Sequence, residues 1–196
     1  MADKVNRTAL FSVYTKDANF FDFARALADL GWNILGSRGT AVEFLAPRGI
    51  PARDIADFVG PPILGHRVVT LSREIHAALL SRDTEEDNRE LERIGIPRID
   101  LVCVDLYPLE ETIKAGGTYD EVIEKTDIGG STMLRSAAKG GRIVISCPED
   151  REKVIQWLKD GEPRSANFRR WLAGKAELTV SDYCRISGIH TLTLRE

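Results

Sequence analysis

The chain has 196 residues, 43% hydrophobic and 29% charged, a composition that excludes a disordered chain and fits one domain of ordinary size with a sizeable core. A formal net charge of −3 leaves no global basic field for nucleic acid. No apolar run approaches the roughly 18 residues of a membrane span, and residues 1–7 lack the basic, apolar and small-residue succession of a signal peptide, so the expectation is a cytoplasmic protein without membrane or nucleic-acid partners.

Residues 8–13 (TALFSV) form a short β-rich run, the first expected strand. In 17–30, Phe20, Phe23, Ala24, Leu27 and Leu30 recur at helical spacing and Gly31 stops the helix. A second strand at 32–35 leads into the glycine-bearing turn 36–40 and a short helix limited by Pro47 and Gly49. Strand, helix, strand, helix predicts an α/β fold, a parallel sheet with right-handed crossovers. Residues 55–67, rich in Gly and Pro, read as a long loop. Helices are expected at 72–81 and 84–94, the second opening with Thr84 and Asp87 as a capping box. The run 99–106 (IDLVCVDL) is the clearest buried strand. A helix or turn follows near 109–114 and a helix near 119–125, then a turn at 127–130, a helix at 131–139 and a strand at 142–146. Pro148 starts a helix of about ten residues. A last helix spans 165–184 before a polar tail, with no repeat or linker to divide the chain.

Four segments carry candidate chemistry. Ser12 and Lys16 follow the first strand, and Ser37, Gly39 and Thr40 follow the second just ahead of a helix. Ligands of a parallel sheet sit at the carboxyl ends of its strands, and glycines, hydroxyls, a lysine and a helix N-terminus together suit a phosphate. Taken alone, the same residues also serve as a turn and cap. Arg67, Val68 and Thr70 follow the Gly-rich loop, where an arginine clamps an anion or simply meets solvent. Asp105, Leu106 and Tyr107 end the buried strand, and Tyr107 can stack on a base or donate a hydrogen bond. Asp127, Ile128, Gly129 and Gly130 precede a helix that carries Arg135 and Lys139 on one face. Asp127 is an ordinary cap or, with Lys139, an acid–base or orienting dyad. His66, His76 and His190 have no ligand spacing, and no nucleophile elbow is present. Cys103, Cys147 and Cys184, odd in number and far apart, read as reduced, partly buried residues. No metal or cofactor is expected.

Together these segments resemble the inosine-monophosphate cyclohydrolase domain of the bifunctional enzyme that ends inosinate synthesis. The resemblance rests on Leu10-Phe11-Ser12-Val13 with Lys16, on 34–40, 65–71 and 100–108, and above all on DIGGSTMLRSAAK at 127–139. It covers about residues 7–160, with 164–186 similar to the helix that follows, and the formyl-transferring domain has no counterpart. It implies a fold related to methylglyoxal synthase, with a mostly parallel central sheet flanked by helices in three layers, one cyclohydrolase-like domain over 1–196, a homodimer, a purine-precursor ribonucleotide as ligand and a separate formyltransferase upstream. It also implies a reaction without metal or redox cofactor. The carboxamide nitrogen of 5-formamidoimidazole-4-carboxamide ribotide attacks its own formyl carbon and water leaves. Ser12, Lys16, Ser37, Gly39 and Thr40 would hold the 5′-phosphate, and Arg67, Val68 and Thr70 would line the nucleotide. Asp105, Leu106 and Tyr107 would meet the base, with Ile128, Gly129 and Gly130 beside it. Asp127 would orient or deprotonate the carboxamide and Lys139 would serve the leaving oxygen, with Tyr107 as the third catalytic group.

The chain departs from the family's motifs at several points. Arg-Val-Lys-Thr-Leu-His-Pro reads Arg67-Val68-Val69-Thr70-Leu71-Ser72-Arg73, so the active-site lysine is Val69. Asn-Leu-Tyr-Pro carries Asp105 for Asn, and a carboxylate accepts but does not donate. Arg38 and Arg73 are the candidates to supply a replacement charge for the lost lysine. Two other functions therefore stand beside the cyclohydrolase: a paralogue acting on a related imidazole or pyrazole ribotide, and a non-catalytic purine-nucleotide-binding regulatory module.

Overall fold

The computed structural model describes residues 7–193; the expectation for the first six residues lies outside them, as does the end of the tail. Strands β1 (Thr8–Ser12), β2 (Asn33–Gly36), β3 (Arg53–Asp54), β4 (Leu101–Val104) and β5 (Ile143–Ile145) form one sheet in the order β3-β2-β1-β4-β5. Every pairing is parallel. The chain winds outward from β1 to β3, then returns to place β4 on the other side of β1. The carboxyl ends of β1 and β4 therefore flank the switch point, where an open parallel sheet forms its crevice.

Alternation along each strand builds two cores. Ala9, Phe11, Ile34, Leu101, Cys103, Ile143 and Ile145 face one side, and Leu10, Leu35, Val102, Val104 and Val144 face the other. Helix α1 (Ala18–Asp29) covers the first face with α9 (Asp150–Lys159) through Phe20, Phe23, Leu27, Val154 and Trp157. Phe11 meets Phe20 edge-on at 5.4 Å. Helix α4 (Arg73–Leu80), α5 (Glu85–Ile94) and α8 (Ile128–Lys139) cover the second through Ile75, Leu79, Leu91, Met133, Leu134 and Ala137. Each of the larger aliphatic and phenylalanine side chains taken from water contributes about 1.5–3 kcal/mol.

The local signals account for most boundaries. Asp17 caps α1 by accepting from the Phe20 N–H at 2.8 Å, and Ser72 caps α4. Thr84 caps α5, but Asp87 turns away to accept from the Arg82 N–H, so the reciprocal capping box expected there is absent. A complete one opens α7 (Tyr119–Glu124), between Thr118 and Glu121, after α6 (Leu109–Lys114). Within the stretch expected to be a loop over 55–67, α3 (Ala56–Val59) follows β3, with Asp54 Oδ1 accepting from the Ala56 N–H at 3.0 Å. The helix expected from 131 starts at Ile128 because Asp127 takes the N-cap, which puts the glycine pair inside the first turn. After β2, α2 (Arg38–Thr40) continues as a π turn over Ala41–Leu45 and a 3-10 turn over Ala46–Arg48, and Gly49 at φ 75° ends it. The last helix, α10 (Ser165–Thr193), runs past the expected end at 184–186 and replaces most of the expected polar tail. Its buried stripe of Leu172, Ala176 and Val180 lies along the β5 edge of the sheet. Cys103 is buried and Cys147 half-buried, but Cys184 is exposed on α10, against the expectation of partial burial. Among the described residues no helix is long and apolar enough to cross a membrane.

Candidate functional site

The carboxyl edge of the sheet gathers most of the expected residues. Ser12 ends β1, and the Asp105 N–H donates to its carbonyl at 3.0 Å, joining the ends of β1 and β4. Beside it the Ser37 N–H donates to the Phe11 carbonyl at 3.3 Å, which sets the turn after β2 against the same strand. Ser37 and Thr40 pair their hydroxyls at 3.3 Å, and Gly39 stands between them. Lys16 folds back to donate to the Val13 carbonyl at 3.0 Å. The surrounding protein desolvates its ammonium and lowers its pKa, against the opposing pull of Asp105 and Glu43. Hydroxyls, a backbone turn and one cation thus share one rim, the donor set an oxyanion needs.

A second corner is built around Asp127. Its Oδ1 accepts from the Gly130 N–H at 2.7 Å. Burial pushes its carboxyl above the usual aspartate range, and the Gly130 N–H opposes the shift. Tyr183 on α10 accepts from the Asp127 N–H at 2.9 Å and donates to the Lys125 carbonyl at 2.7 Å, pinning the backbone. Thr70 and Leu106 close on the same turn. A side chain at Gly129 would meet Thr70 Oγ1 at 2.5 Å, and one at Gly130 would meet Leu106 Cδ2 at 2.9 Å, so both positions require glycine for this approach. Tyr107, 45% exposed, lies edge-on to Tyr14 at 5.8 Å, with the Lys125 ammonium 5.9 Å from its ring. Burial raises the Tyr107 pKa, and Asp127 adds to the shift. A carboxylate with a raised pKa beside a tyrosine and the N-terminus of a three-turn helix can take a proton and stabilise an oxyanion.

Other expected residues are placed elsewhere. Lys139 ends the same helix that Asp127 begins, and twelve residues at about 1.5 Å each put about 18 Å of helix axis between them. That is far beyond the reach of a lysine side chain, so the dyad does not form within one chain. Both line a groove of about 730 Å³ between α8 and α10, at opposite ends. Arg67 is exposed and donates to the Leu64 carbonyl at 2.8 Å, while Val68 pairs with Ile63 in an isolated bridge. Ile128 is 58% exposed. Val69 is half-buried, and neither candidate arginine is free to replace the lysine. Arg38 pairs with Glu43 and Arg73 with Glu74, both largely exposed.

Asp105, expected to meet the base, instead turns to Arg151 on α9, whose Nη2 donates to its Oδ1 at 2.7 Å. Arg151 side chain is 1% exposed, and nothing in its local sequence marks it as a buried cation. Tyr183 was equally unmarked, although it extends the Leu172, Ala176, Val180 stripe at helical spacing. Among the described residues no three His, Cys, Asp or Glu side chains gather to hold a metal ion.

Residues 19–132 match the family model described as MGS-like domain. The chain is 43% identical over 176 residues to the bifunctional purine biosynthesis protein PurH of Persephonella marina, covering 88% of this chain and 34% of that protein. It is 39% identical over 198 residues to PurH of Desulfitobacterium hafniense, covering 98% and 38% respectively. The chain therefore spans about a third of the length of these curated relatives. The crystal structure of a protein named ForH superposes with a TM-score of 0.78 at 36% identity, over 93% of this chain and 97% of that one.

Proposed function

The chain belongs to the MGS-like domain family, and from that premise we propose that it is an inosine-monophosphate cyclohydrolase. It binds 5-formamidoimidazole-4-carboxamide ribotide and closes the second purine ring with loss of water. The observation that carries this reading is the Asp127 corner, where a half-buried carboxylate of raised pKa, Tyr107, Thr70 and the start of α8 converge beside a phosphate-suited rim. The PurH relatives, named for purine biosynthesis, point the same way.

In the proposed reaction the Ser12, Lys16 and 37–40 rim holds the 5′-phosphate, and the base reaches toward α8. Asp127 orients the carboxamide and accepts its proton as the nitrogen attacks the formyl carbon. The N-terminus of α8 faces the oxygen that becomes negative, and Tyr107 delivers a proton to it. The resulting hydroxyl then leaves as water with the proton held by Asp127, while the formamido N–H returns a proton to the tyrosinate as the ring C=N bond forms. Nucleophile and electrophile belong to one molecule, so fixing their geometry supplies much of the acceleration. Lys139 takes no direct part within one chain, because about 18 Å of helix separates it from Asp127. A partner copy and an upstream formyltransferase remain proposals that follow from the resemblance.

Specific departures favour a second reading, a paralogue for a related imidazole or pyrazole ribotide. Val69 provides no cation, and Asp105 is engaged by Arg151 rather than free for a base. A spectrophotometric assay with the formamido ribotide separates the two. Inosinate formed well above the uncatalysed rate supports the cyclohydrolase, and binding of inosinate without turnover supports the altered substrate. Failure to do either overturns both.

A further inference from the structure

Arg151 is the largest fully buried side chain of the described residues, and it bonds Asp105, whose N–H reaches Ser12 at the proposed phosphate rim. Its guanidinium donates to Asp105 Oδ1 at 2.7 Å and to Asn19 Oδ1 at 3.0 Å, and comes within 3.9 Å of Asp17 Oδ1. Its carbon sits over the Phe20 ring at 5.4 Å. These partners bracket Lys16. Asp17 is its chain neighbour and the cap of α1, Asn19 lies in the first turn of that helix, and Asp105 immediately follows the adjoining strand. The second Asp105 oxygen is buried without a hydrogen-bond partner, and the Asp105 charge acts on the Lys16 ammonium. One carboxylate thus stands between two cations, one locked in the interior and one at the rim.

We infer that Arg151 is a positioning residue for phosphate binding: by engaging Asp105 it keeps that carboxylate from capturing Lys16, and through Asn19 and Asp17 it fixes the loop that presents Lys16 to a ligand. This rests on the proposed ribotide site. The physical reason is competition for one anion. A buried carboxylate that loses its partner either takes up a proton or recruits the nearest cation. Lys16, already partly desolvated, is the cation at hand, and an ammonium paired with Asp105 has less to offer a phosphate. The same arrangement accounts for aspartate at a motif position that the family fills with asparagine. An asparagine would leave the buried guanidinium only the more distant, half-exposed Asp17 as counter-charge, whereas Asp105 pairs with it directly.

The test is calorimetric titration of the full chain with inosinate and with inosine, which differ only in the phosphate. Arg151→Met is expected to raise the inosinate Kd on the order of tenfold to a hundredfold and leave inosine nearly unchanged. Adding Asp105→Asn to that variant removes the competing charge and is expected to restore most of the inosinate affinity. Arg151→Gln, which keeps an amide donor and much of the volume, replaces the Met variant in both measurements should that one not fold. A purely structural role predicts a lower Tm with the inosinate-to-inosine ratio unmoved. That result, or a double variant no better than Arg151→Met, overturns the inference. Wild-type protein that binds ribose 5-phosphate but not inosinate overturns the purine reading alone, and the same variants are then compared on ribose 5-phosphate and ribose. Wild-type protein that binds neither phosphate overturns both.

Discussion

Replacing Gly130 with alanine separates the stability of the Asp127 corner from its chemistry. The added Cβ would lie 2.9 Å from both Asp127 Cγ and Leu106 Cδ2, and nearer still to the unbonded carboxylate oxygen of Asp127. Ordinary contact begins at 3.4 Å, so Leu106 must yield by about 0.5 Å and the Asp127 carboxylate by about 1 Å. Gly130 has helical backbone angles, and alanine there favours the helix by about 1 kcal/mol. Displacing the carboxylate weakens the 2.7 Å cap to the Gly130 N–H, which costs about 0.5–2 kcal/mol. The two effects nearly offset, so the Tm is expected to move by only a few degrees, about 2–4 °C per kcal/mol at this size. A reacting group misplaced by about 1 Å loses about 10²-fold in rate. Calorimetric melting and initial rates with the formamido ribotide measure the two quantities on one preparation. Turnover within a few-fold of wild type, in a variant that folds, would refute the assignment of Asp127 to the reacting atoms.

Three further outcomes are expected. Lys16→Ala should weaken inosinate binding far more than inosine binding; equal losses, read by titration, would remove Lys16 from the phosphate. Asp127→Asn keeps a capping oxygen but no base, so turnover should fall by about 10²–10⁴-fold, and the wild-type rate should decline on acidification from a higher pH than an ordinary aspartate gives. The folded-state pKa of Asp127 is raised, so its protonated form stabilises the fold at acid pH and that contribution is lost as pH rises through the raised pKa. Asp127→Asn should therefore melt at or above the wild-type Tm at neutral pH and show no such gain in acid, as a Tm series against pH would show. Tyr183→Phe leaves the Asp127 N–H and the Lys125 carbonyl without their partner, a loss of about 1–3 kcal/mol measurable by denaturant titration.

The fold was legible where local signals and burial agree. The run 99–106 reads as a buried strand because β4 is covered on both faces, and Gly31 and Asp17 mark the ends of α1 by their own chemistry. Gly129 and Gly130 misled for a physical reason. Paired glycines suggest a turn, but here they let Thr70, Leu106 and the Asp127 side chain approach the first turn of a helix. The segment holding α3 is dominated by Gly and Pro, and one short turn held by Asp54 leaves no periodicity to read. Arg151 was hidden because its meaning lies in partners 46 and 132 residues away, and a buried ion pair leaves no mark on the sequence around either member.

The cations decide how the site can work. The family resemblance would supply three near the ligand: Lys16, a lysine at position 69, and Lys139. Position 69 is valine, and Lys139 stands at the far end of α8 from Asp127. Of these three, Lys16 alone stands at the rim within one chain, and the proposed reading commits it to the phosphate. On the proposed reading, charge that develops on the formyl oxygen meets the N-terminus of α8, where the Gly130 N–H is already engaged by Asp127 and the N–H groups of Ile128 and Gly129 precede it. Two such donors, fixed before the substrate arrives and shielded from water when it is bound, can supply part of what a lysine would, since removing one donor of this kind costs about 10²–10³ in rate. Their strength does not depend on pH, whereas that of a lysine does. The rate should accordingly follow the ionisation of Asp127 on the acid side and carry no limb from a lysine at position 69. Introducing that lysine by Val69→Lys should raise the rate or add such a limb if the donors of α8 face the reacting oxygen alone.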